Sequence, residues 1–337
     1  MSNQQTQETT TTSTSSAVVG GVQPLMQIWA VSINRKISRE EFATCLNLVD
    51  PKARVKAEKF ANRNDAFRYV LSKLLPSVVV WREHPVLPPT QWCHNVTKNG
   101  KDYMGCADST QVLGYDTARG DSLVTIAFAY GHKPQVVNIG VDIMQLIVPR
   151  GISARKFADS FAHKLTTNEE LVLDTKLKDE VILRRLCILL TIKTAYIKAL
   201  GQPAGFDYSR IDCNIPEESV MVDGKPLLGW EFRLFKANLG VLRHGFLLEE
   251  TYQCSSALYR GGKTTKFVWE ENVNEMKNWL RFINADAIIA DLPKPPPGTN
   301  TSSGTTAGTT MTSSTSGPPA STSSNAGSGS GKFAISA

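Results

Sequence analysis

Two lysines and one aspartate have the residue types of an anion- and metal-binding site. Lys193 and Lys198 lie five residues apart in an apolar segment, and Asp142 ends the run Gly140-Val141-Asp142 about fifty residues earlier. In a helix, five residues turn by about 500°, which places the two lysines roughly 140° apart and not on one stripe. A single carboxylate suits Mg²⁺, which keeps several waters and takes other oxygens from substrate phosphates.

Each of these residues is also consistent with an ordinary structural role. Lys193 and Lys198 fit solvated positions on an amphipathic helix, although the helix is so apolar on its other faces that we expect it to be buried with its lysines at the rim of a cleft. Asp142 fits a strand end that accepts backbone hydrogen bonds. Burial of an aspartate in an apolar strand is costly unless a metal, a lysine or backbone donors compensate it. Both interpretations stay open at this point.

The elements that must position these residues follow from hydrophobic periodicity. Residues 179–200 predict a long helix that ends at Gly201, and residues 136–143 predict the strand that carries Asp142. The same reasoning predicts strands at 22–34, 123–130, 220–237 and 245–253, helices at 51–75, 153–161 and 168–177, and a final strand and helix within 267–284. Pro76 should end the first of these helices, and residues 99–102 should form a tight turn.

Composition limits the possible function classes. Residues 2–16 and those after Pro297 contain too little apolar surface to fold, so we expect both ends to be disordered. The net charge of +6 is spread among interspersed acids and bases, which argues against a nucleic-acid binder and fits a small polyanionic ligand. The 6 cysteines form no CxxC pair, no apolar run is long enough for a membrane span, and the amino terminus lacks a signal-peptide core. These features predict a soluble, cytoplasmic protein.

Several segments, in the same order along the chain, resemble Sfp-type 4′-phosphopantetheinyl transferases. Residues 140–143 (GVDI) resemble the family's (V/I)G(V/I)D strand, and residues 190–201 (LTIKTAYIKALG) resemble its W-x-x-K-E-(A/S)-x-x-K helix and following glycine. Residues 165–169 (LTTNE) resemble the F-(T/S)-x-x-E element. Residues 63–75 resemble the basic first helix, 115–123 occupy the place of the N-(V/I)-S-H loop, and 201–211 resemble the segment after the long helix. The resemblance extends from about residue 22 to 285 and is strongest to fungal and animal single-chain members.

The resemblance implies an α+β fold of two similar α/β halves packed as a pseudo-dimer, each with a small, mostly antiparallel sheet and a long helix. We expect the halves at residues 18–134 and 135–292, between disordered tails at 1–17 and 293–337. The implied reaction transfers the 4′-phosphopantetheine arm of coenzyme A to a carrier-protein serine. It is a phosphoryl transfer, in which positioning and charge neutralisation supply the catalysis.

The resemblance also implies a role for individual residues. The implied metal site consists of Asp142, Glu169 and the position of Thr194. The implied catalytic residues are Lys193, Lys198 and Glu169. The implied coenzyme-A contacts are Arg63, Lys101, Arg119 and Lys198, and of these Arg63 and Lys101 are expected at the mouth of the site. The implied cofactor is Mg²⁺, with coenzyme A as co-substrate. The implied partner is an acyl- or peptidyl-carrier domain of the fatty acid synthase, polyketide or peptide synthetase, or aminoadipate reductase type. We expect a monomer with neither a nucleic-acid nor a membrane partner.

The chain departs from the family pattern at four places, one of them a pair of residues. Thr194 replaces the metal-binding glutamate, Ala118-Arg119 replace the Ser-His pair, Leu190 replaces the tryptophan of the helix, and Asp102 replaces the proline of the Gly-Lys-Pro turn. A threonine hydroxyl is a poor Mg²⁺ ligand and cannot act as a base at neutral pH. Arg119 can still bind a phosphate.

Two other functions therefore stay open. The first is a catalytically weakened or inactive family member that binds coenzyme A or a carrier protein. The second is nucleic-acid binding through the Lys/Arg face of residues 51–75, which would show a steeply salt-dependent affinity.

Overall fold

Strands and helices are distributed over the whole described part of the computed structural model, which covers residues 25–83, 91–107, 109–174, 176–202, 205–243, 245–269 and 276–293. The strands are β1 (Gln27–Ser32), β2 (Trp92–Val96), β3 (Asp102–Cys106), β4 (Gln111–Arg119), β5 (Leu123–His132), β6 (Ile139–Gln145), β7 (Ile211–Asn214), β8 (Ser219–Val222), β9 (Lys225–Pro226), β10 (Trp230–Arg243), β11 (Phe246–Tyr259), β12 (Lys266–Trp269) and β13 (Leu280–Asn284). The helices are α1 (Arg39–Leu48), α2 (Pro51–Glu58), α3 (Arg63–Glu83), α4 (Lys133–Val136), α5 (Ala154–Asp159), α6 (Thr167–Val172), α7 (Asp179–Leu200) and α8 (Ala285–Ala290), with short 3-10 helices at Ala162–Lys164 and Tyr208–Arg210. The tail predicted at 1–17 lies outside the described residues, as does all but the first residue of the tail predicted at 293–337.

The first sheet has the strand order β13-β1-β5-β4-β3-β2. Its neighbours are antiparallel except for β13, which runs parallel to β1. The long helix α3 packs on this sheet because its apolar side chains, among them Phe67 and Leu71, join Trp29 and Phe128 of the strands in one buried cluster. This cluster fixes the position of β4, the strand that reaches the candidate site.

The second sheet has the strand order β12-β10-β11-β6, so β6 is an edge strand. Helix α7 packs directly on β6. The approach is so close that a Cβ atom on Gly140 would lie 2.0 Å from the Ala195 carbonyl oxygen, so only glycine fits there. Close packing of this kind puts the side chains of β6 within reach of those on α7.

Helix α7 ends where the β2–β3 turn meets it. Gly201 adopts the left-handed conformation at φ +76°, as a C-terminal cap often does. A Cβ atom there would lie 2.2 Å from the Asn99 carbonyl oxygen. This contact brings Lys101, two residues after Asn99, to the carboxyl end of α7.

The two sheets share a buried apolar cluster that includes Val112 of β4, Val141 of β6 and Ala127 of β5. Strands β7, β8 and β9 form a third, small sheet. In the described part of the chain, no helix combines the length and the apolar character needed to cross a membrane.

The mixed α+β class is confirmed. A pseudo-dimer of two similar halves and the boundary at residues 134/135 stay predictions. The predicted turn at residues 99–102 is confirmed: Gly100 has φ +81° and donates to the Thr97 carbonyl oxygen at 3.0 Å.

The predicted helix at residues 51–75 is wrong in two respects. It is divided into α2 and α3, and α3 continues past Pro76 to Glu83. A proline inside a helix removes one backbone hydrogen bond and costs about 3 kcal/mol. Val78, Val79 and Val80 are buried beyond it, and their burial offsets that cost.

Three strand predictions also differ from the structure. The strand predicted at 136–143 is β6, which starts at Ile139 after the single-turn helix α4. The segment predicted as one strand at 220–237 turns at Asp223 and Gly224, both at positive φ, so β8 and β10 are separate strands. Residues 280–284, placed in a final strand and helix, are strand β13, and α8 follows it.

Candidate functional site

The candidate site lies where β4, β6 and the C-terminal half of α7 meet. Asp142 is two residues beyond Gly140 and therefore shares the face of β6 that packs on α7. It lies directly opposite Ser255 of β11, whose hydroxyl is 2.7 Å from the Thr191 hydroxyl on α7. The structure thus places the Asp142 side chain against the part of α7 that leads from Thr191 to Lys198.

Lys198 joins the two sheets through its ammonium group. Its Nζ donates to the Val141 carbonyl oxygen at 2.6 Å and to the Thr117 carbonyl oxygen at 2.8 Å, and it pairs with the Asp116 carboxylate at 2.9 Å. All three ammonium hydrogens therefore have protein acceptors. The side chain is 21% exposed, so it can still meet a ligand at the site.

Asp116 is a site residue that the sequence reasoning missed. Its carboxylate accepts a hydrogen bond from the Val141 N–H at 2.8 Å and pairs with Lys198 at 2.9 Å and with Lys101 at 3.7 Å. Burial alone would raise the pKa of Asp116, but the two ammonium groups and the N–H donor outweigh burial, so the pKa lies below its usual value. Asp116 is therefore a charged carboxylate between two lysines.

Lys101 is buried and does not lie at the mouth of the site, where the resemblance placed it. Burial lowers the pKa of its ammonium group, and the neighbouring Asp116 carboxylate partly restores it. The structure instead pairs Lys101 with Asp116, an acid of the protein.

The pKa of Asp142, unlike that of Asp116, lies above its usual value. Burial raises the pKa of Asp142 to about 7; Lys198 opposes this rise and the Asp116 carboxylate adds to it. Across the described residues, no ion pair includes Asp142. A partly buried carboxylate without a direct cationic partner fits a site that a metal ion would complete.

Lys193 and Glu169 form an internal ion pair. Their side chains are 0% exposed, and Nζ lies 2.5 Å from the Glu169 carboxylate. Lys193 also donates to the carbonyl oxygens of Lys164 at 2.8 Å and Tyr208 at 3.2 Å. The expectation of a lysine at the rim of a cleft is therefore wrong for Lys193, because the ammonium is completely enclosed.

Glu169 is also fully engaged. Its two carboxylate oxygens accept hydrogen bonds from the backbone N–H groups of Thr166 and Cys213, both at 2.9 Å, in addition to the Lys193 ammonium. The bond from Thr166 belongs to the capping box that starts α6. Metal binding by Glu169 would require it to give up part of this arrangement, so that role stays a prediction.

Thr194 presents only a hydroxyl at the position of the family glutamate. Its Oγ1 donates to the Leu190 carbonyl oxygen at 2.8 Å and lies 3.3 Å from the Tyr208 hydroxyl. The Lys164 ammonium lies 4.7 Å from the centre of the Tyr208 ring. Where side chains can be described, no group of three or more His, Cys, Asp or Glu residues is arranged to hold a metal.

The two predicted arginines are found beside α3. The Arg119 guanidinium at the end of β4 is 5.2 Å from the centre of the Tyr69 ring. Arg63 is exposed at the start of α3 and donates to the Ile37 carbonyl oxygen at 2.9 Å. Neither arginine forms an ion pair with a described carboxylate, so both are available to an anionic ligand.

These side chains define a class of site: a carboxylate suited to a cation lies beside an ammonium group, an arrangement typical of polyphosphate binding. The chain is 33% identical over 217 residues to the 4′-phosphopantetheinyl transferase pptA of Paxillus involutus, an alignment that covers 63% of this chain and 82% of the relative. No family model matches the chain. At this identity and coverage the chain belongs to the 4′-phosphopantetheinyl transferase family, and by this resemblance it is a phosphopantetheinyl transferase.

Three further residues of the site went unrecognised in the sequence. Asp116 carries the same signal as Asp142, an acid within an apolar strand, and could have been found by applying that reasoning to residues 111–118. Lys164 and Tyr208 carry no comparable signal. They lie in short 3-10 helices, and only the fold brings them together.

Proposed function

We propose that this protein transfers the 4′-phosphopantetheine arm of coenzyme A to the serine hydroxyl of an acyl- or peptidyl-carrier protein, with Mg²⁺ bound to the diphosphate. The observation that carries the proposal is the position of Asp142 beside Lys198 at the junction of the two sheets. Membership of the transferase family supports the reaction class.

The basic groups suit coenzyme A, which carries a diphosphate and a separate 3′-phosphate. Asp116, the partner of Lys198, and Arg119 lie three residues apart on β4, so their side chains leave opposite faces of the strand, and Arg119 lies over Tyr69 of α3. We assign the diphosphate to the Asp142 and Lys198 end, and we assign the 3′-phosphate to Arg119 because the family resemblance places a phosphate-binding pair at residues 118–119.

The residues at the Asp142 end fit one Mg²⁺ ion that takes only one or two of its ligands from the protein. Mg²⁺ commonly uses one or two carboxylates together with waters and substrate phosphates. Asp142 would supply the carboxylate, and Thr194 would add only a neutral hydroxyl. When bound, the ion would neutralise charge on the diphosphate.

The reaction forms a bond between the serine oxygen of the carrier and the β-phosphorus of coenzyme A. The bond from that phosphorus to the bridging oxygen breaks, 3′,5′-ADP leaves with the electron pair, and the serine proton passes to solvent. The chain contributes Lys198 to hold the diphosphate, and Asp142 would hold the Mg²⁺ ion that binds it. Thr194 cannot accept the serine proton at neutral pH, so this position adds no general base.

Mass spectrometry of a carrier protein tests the proposal. The carrier is incubated with the protein, coenzyme A and Mg²⁺, and a gain of one phosphopantetheine arm is expected. A carrier whose serine is changed to alanine and a reaction with a chelator are the controls, and neither should gain mass. Coenzyme A binding with no mass gain on any carrier would instead support the binding-module alternative. The carrier type, the monomeric state and the cytoplasmic location stay predictions.

A further inference from the structure

Lys164 is the lysine of this site whose ammonium has no carboxylate partner among the residues that the structure describes. Lys101 and Lys198 share the Asp116 carboxylate, and Lys193 pairs with Glu169. The positive charge of Lys164 is therefore not neutralised by the protein. An uncompensated, half-buried ammonium group gains more from an anionic ligand than one that must first leave an ion pair.

Aromatic side chains hold Lys164 toward the Thr194 position. Its Nζ lies 4.7 Å from the centre of the Tyr208 ring and 5.8 Å from that of Phe161. The Tyr208 hydroxyl is 3.3 Å from the Thr194 hydroxyl, and Thr194 lies one turn before Lys198 on α7. Burial raises the pKa of Asp142 to about 7, and the charge of Lys164 is one of the smaller influences that oppose this rise.

The side chain of Lys193 holds the backbone of Lys164 and Tyr208 in place. The buried Lys193 ammonium donates to the carbonyl oxygens of both residues, at 2.8 Å and 3.2 Å. Glu169 in turn fixes this ammonium at 2.5 Å. The buried ion pair of Lys193 and Glu169 therefore fixes the backbone that carries Lys164 before any ligand binds.

We propose that Lys164 binds the diphosphate of coenzyme A. The proposal rests on the proposed function and adds a contact to the same site. Lys198 has all three hydrogens engaged with the protein, so its approach to a phosphate would cost existing bonds. Lys164 would lose only its contacts with aromatic rings.

Calorimetric titration of two ligands in the presence of Mg²⁺ tests this proposal. The ligands are coenzyme A and dephospho-coenzyme A, which lacks the 3′-phosphate. Lys164→Met keeps the aliphatic packing on Tyr208 and removes the charge, so it should weaken both ligands by about ten- to a hundredfold. Lys164→Arg should retain most of the affinity. Lys156→Met, an equal loss of charge at an exposed site on α5, should leave both affinities unchanged.

Comparison of coenzyme A with dephospho-coenzyme A identifies which phosphate each side chain contacts. Arg119→Met should weaken coenzyme A much more than dephospho-coenzyme A, whereas Lys164→Met should weaken both by the same factor. Should Lys164→Met unfold, Lys164→Gln takes its place, with thermal unfolding as the check on folding.

Two results would overturn the inference. One is wild-type affinity of the folded Lys164 variants for both ligands. The other is unchanged coenzyme A affinity with a raised KM for the carrier, which would assign Lys164 to the carrier surface. A wild-type protein that binds neither ligand would instead refute the proposed function, so the two failures are distinguishable.

Discussion

Replacing Glu169 by glutamine should destabilise the fold, because this carboxylate neutralises an ammonium group that water cannot reach. The side chains of Glu169 and Lys193 are 0% exposed, and each is hydrogen-bonded on several sides. Glutamine keeps the size and one oxygen acceptor but removes the charge. The Lys193 ammonium would then remain buried without its counter-ion.

The expected size follows from the burial. Removal of one partner from a buried pair costs about 3–5 kcal/mol of unfolding free energy. For a domain of this size, 1 kcal/mol corresponds to about 2–4 °C in Tm, so Glu169→Gln should lower the Tm by roughly 6–20 °C. Lys193→Met should fall in the same range. The double variant should lose less than the sum, because it leaves no unpaired charge.

Thermal and urea unfolding of the wild type, both single variants and the double variant provide the assay. Asp159→Asn removes the charge of an exposed carboxylate that pairs with Arg155 and serves as a control, with an expected change within about 0.5 kcal/mol. The reasoning is refuted when the single variants unfold at the wild-type temperature, or when the double variant loses the full sum. Either outcome would mean that the pair is not a coupled structural element and would favour a directly catalytic role for it.

Three further predictions concern the junction between β6 and α7. Because burial raises the pKa of Asp142 to about 7 from 3.8, its stabilising contribution is complete below pH 3.8 and is lost as the pH rises through about 7. Without ligand, Asp142→Asn should therefore unfold at a higher temperature than the wild type at about pH 8 and show a smaller advantage at about pH 5; a uniform difference would refute this. Gly140→Ala places a methyl group 2.0 Å from the Ala195 carbonyl oxygen and should cost about 3 kcal/mol or more in urea unfolding, and wild-type stability would contradict the close approach. Thr194→Glu should raise the rate of carrier loading by about tenfold or more, with Thr194→Gln as the uncharged control; an equal effect of both would exclude a lost metal ligand.

Local pattern was enough to predict the elements that carry the site. The run of apolar residues with Gly201 after it defined α7, and Gly140-Val141-Asp142 defined the strand packed on it. The angle of roughly 140° between Lys193 and Lys198 also has a structural counterpart. One lysine points into the enclosed pair with Glu169, and the other points at β6.

The role of each charged residue depends on its tertiary contacts, and the spacing of residues along the sequence does not predict those contacts. Asp116 reaches Lys198 only because the first sheet meets the edge of the second. Lys164 lies over the ring of Tyr208, whose hydroxyl is 3.3 Å from that of Thr194, and Lys193 holds the backbone carbonyls of Lys164 and Tyr208. Pro76 similarly sits inside a helix because buried valines on its far side outweigh its local preference.

The measurement that tests the central claim most directly is the rate at which the wild type and Asp142→Asn load a carrier protein, followed by intact-mass spectrometry. Asp159→Asn, which changes an exposed carboxylate on α5, is the matched control. Loss of a metal ligand removes several kcal/mol of charge stabilisation, so Asp142→Asn should be slower by about 100-fold or more while Asp159→Asn matches the wild type. Equal loading by Asp142→Asn and wild type would contradict the assignment of this carboxylate to the diphosphate site.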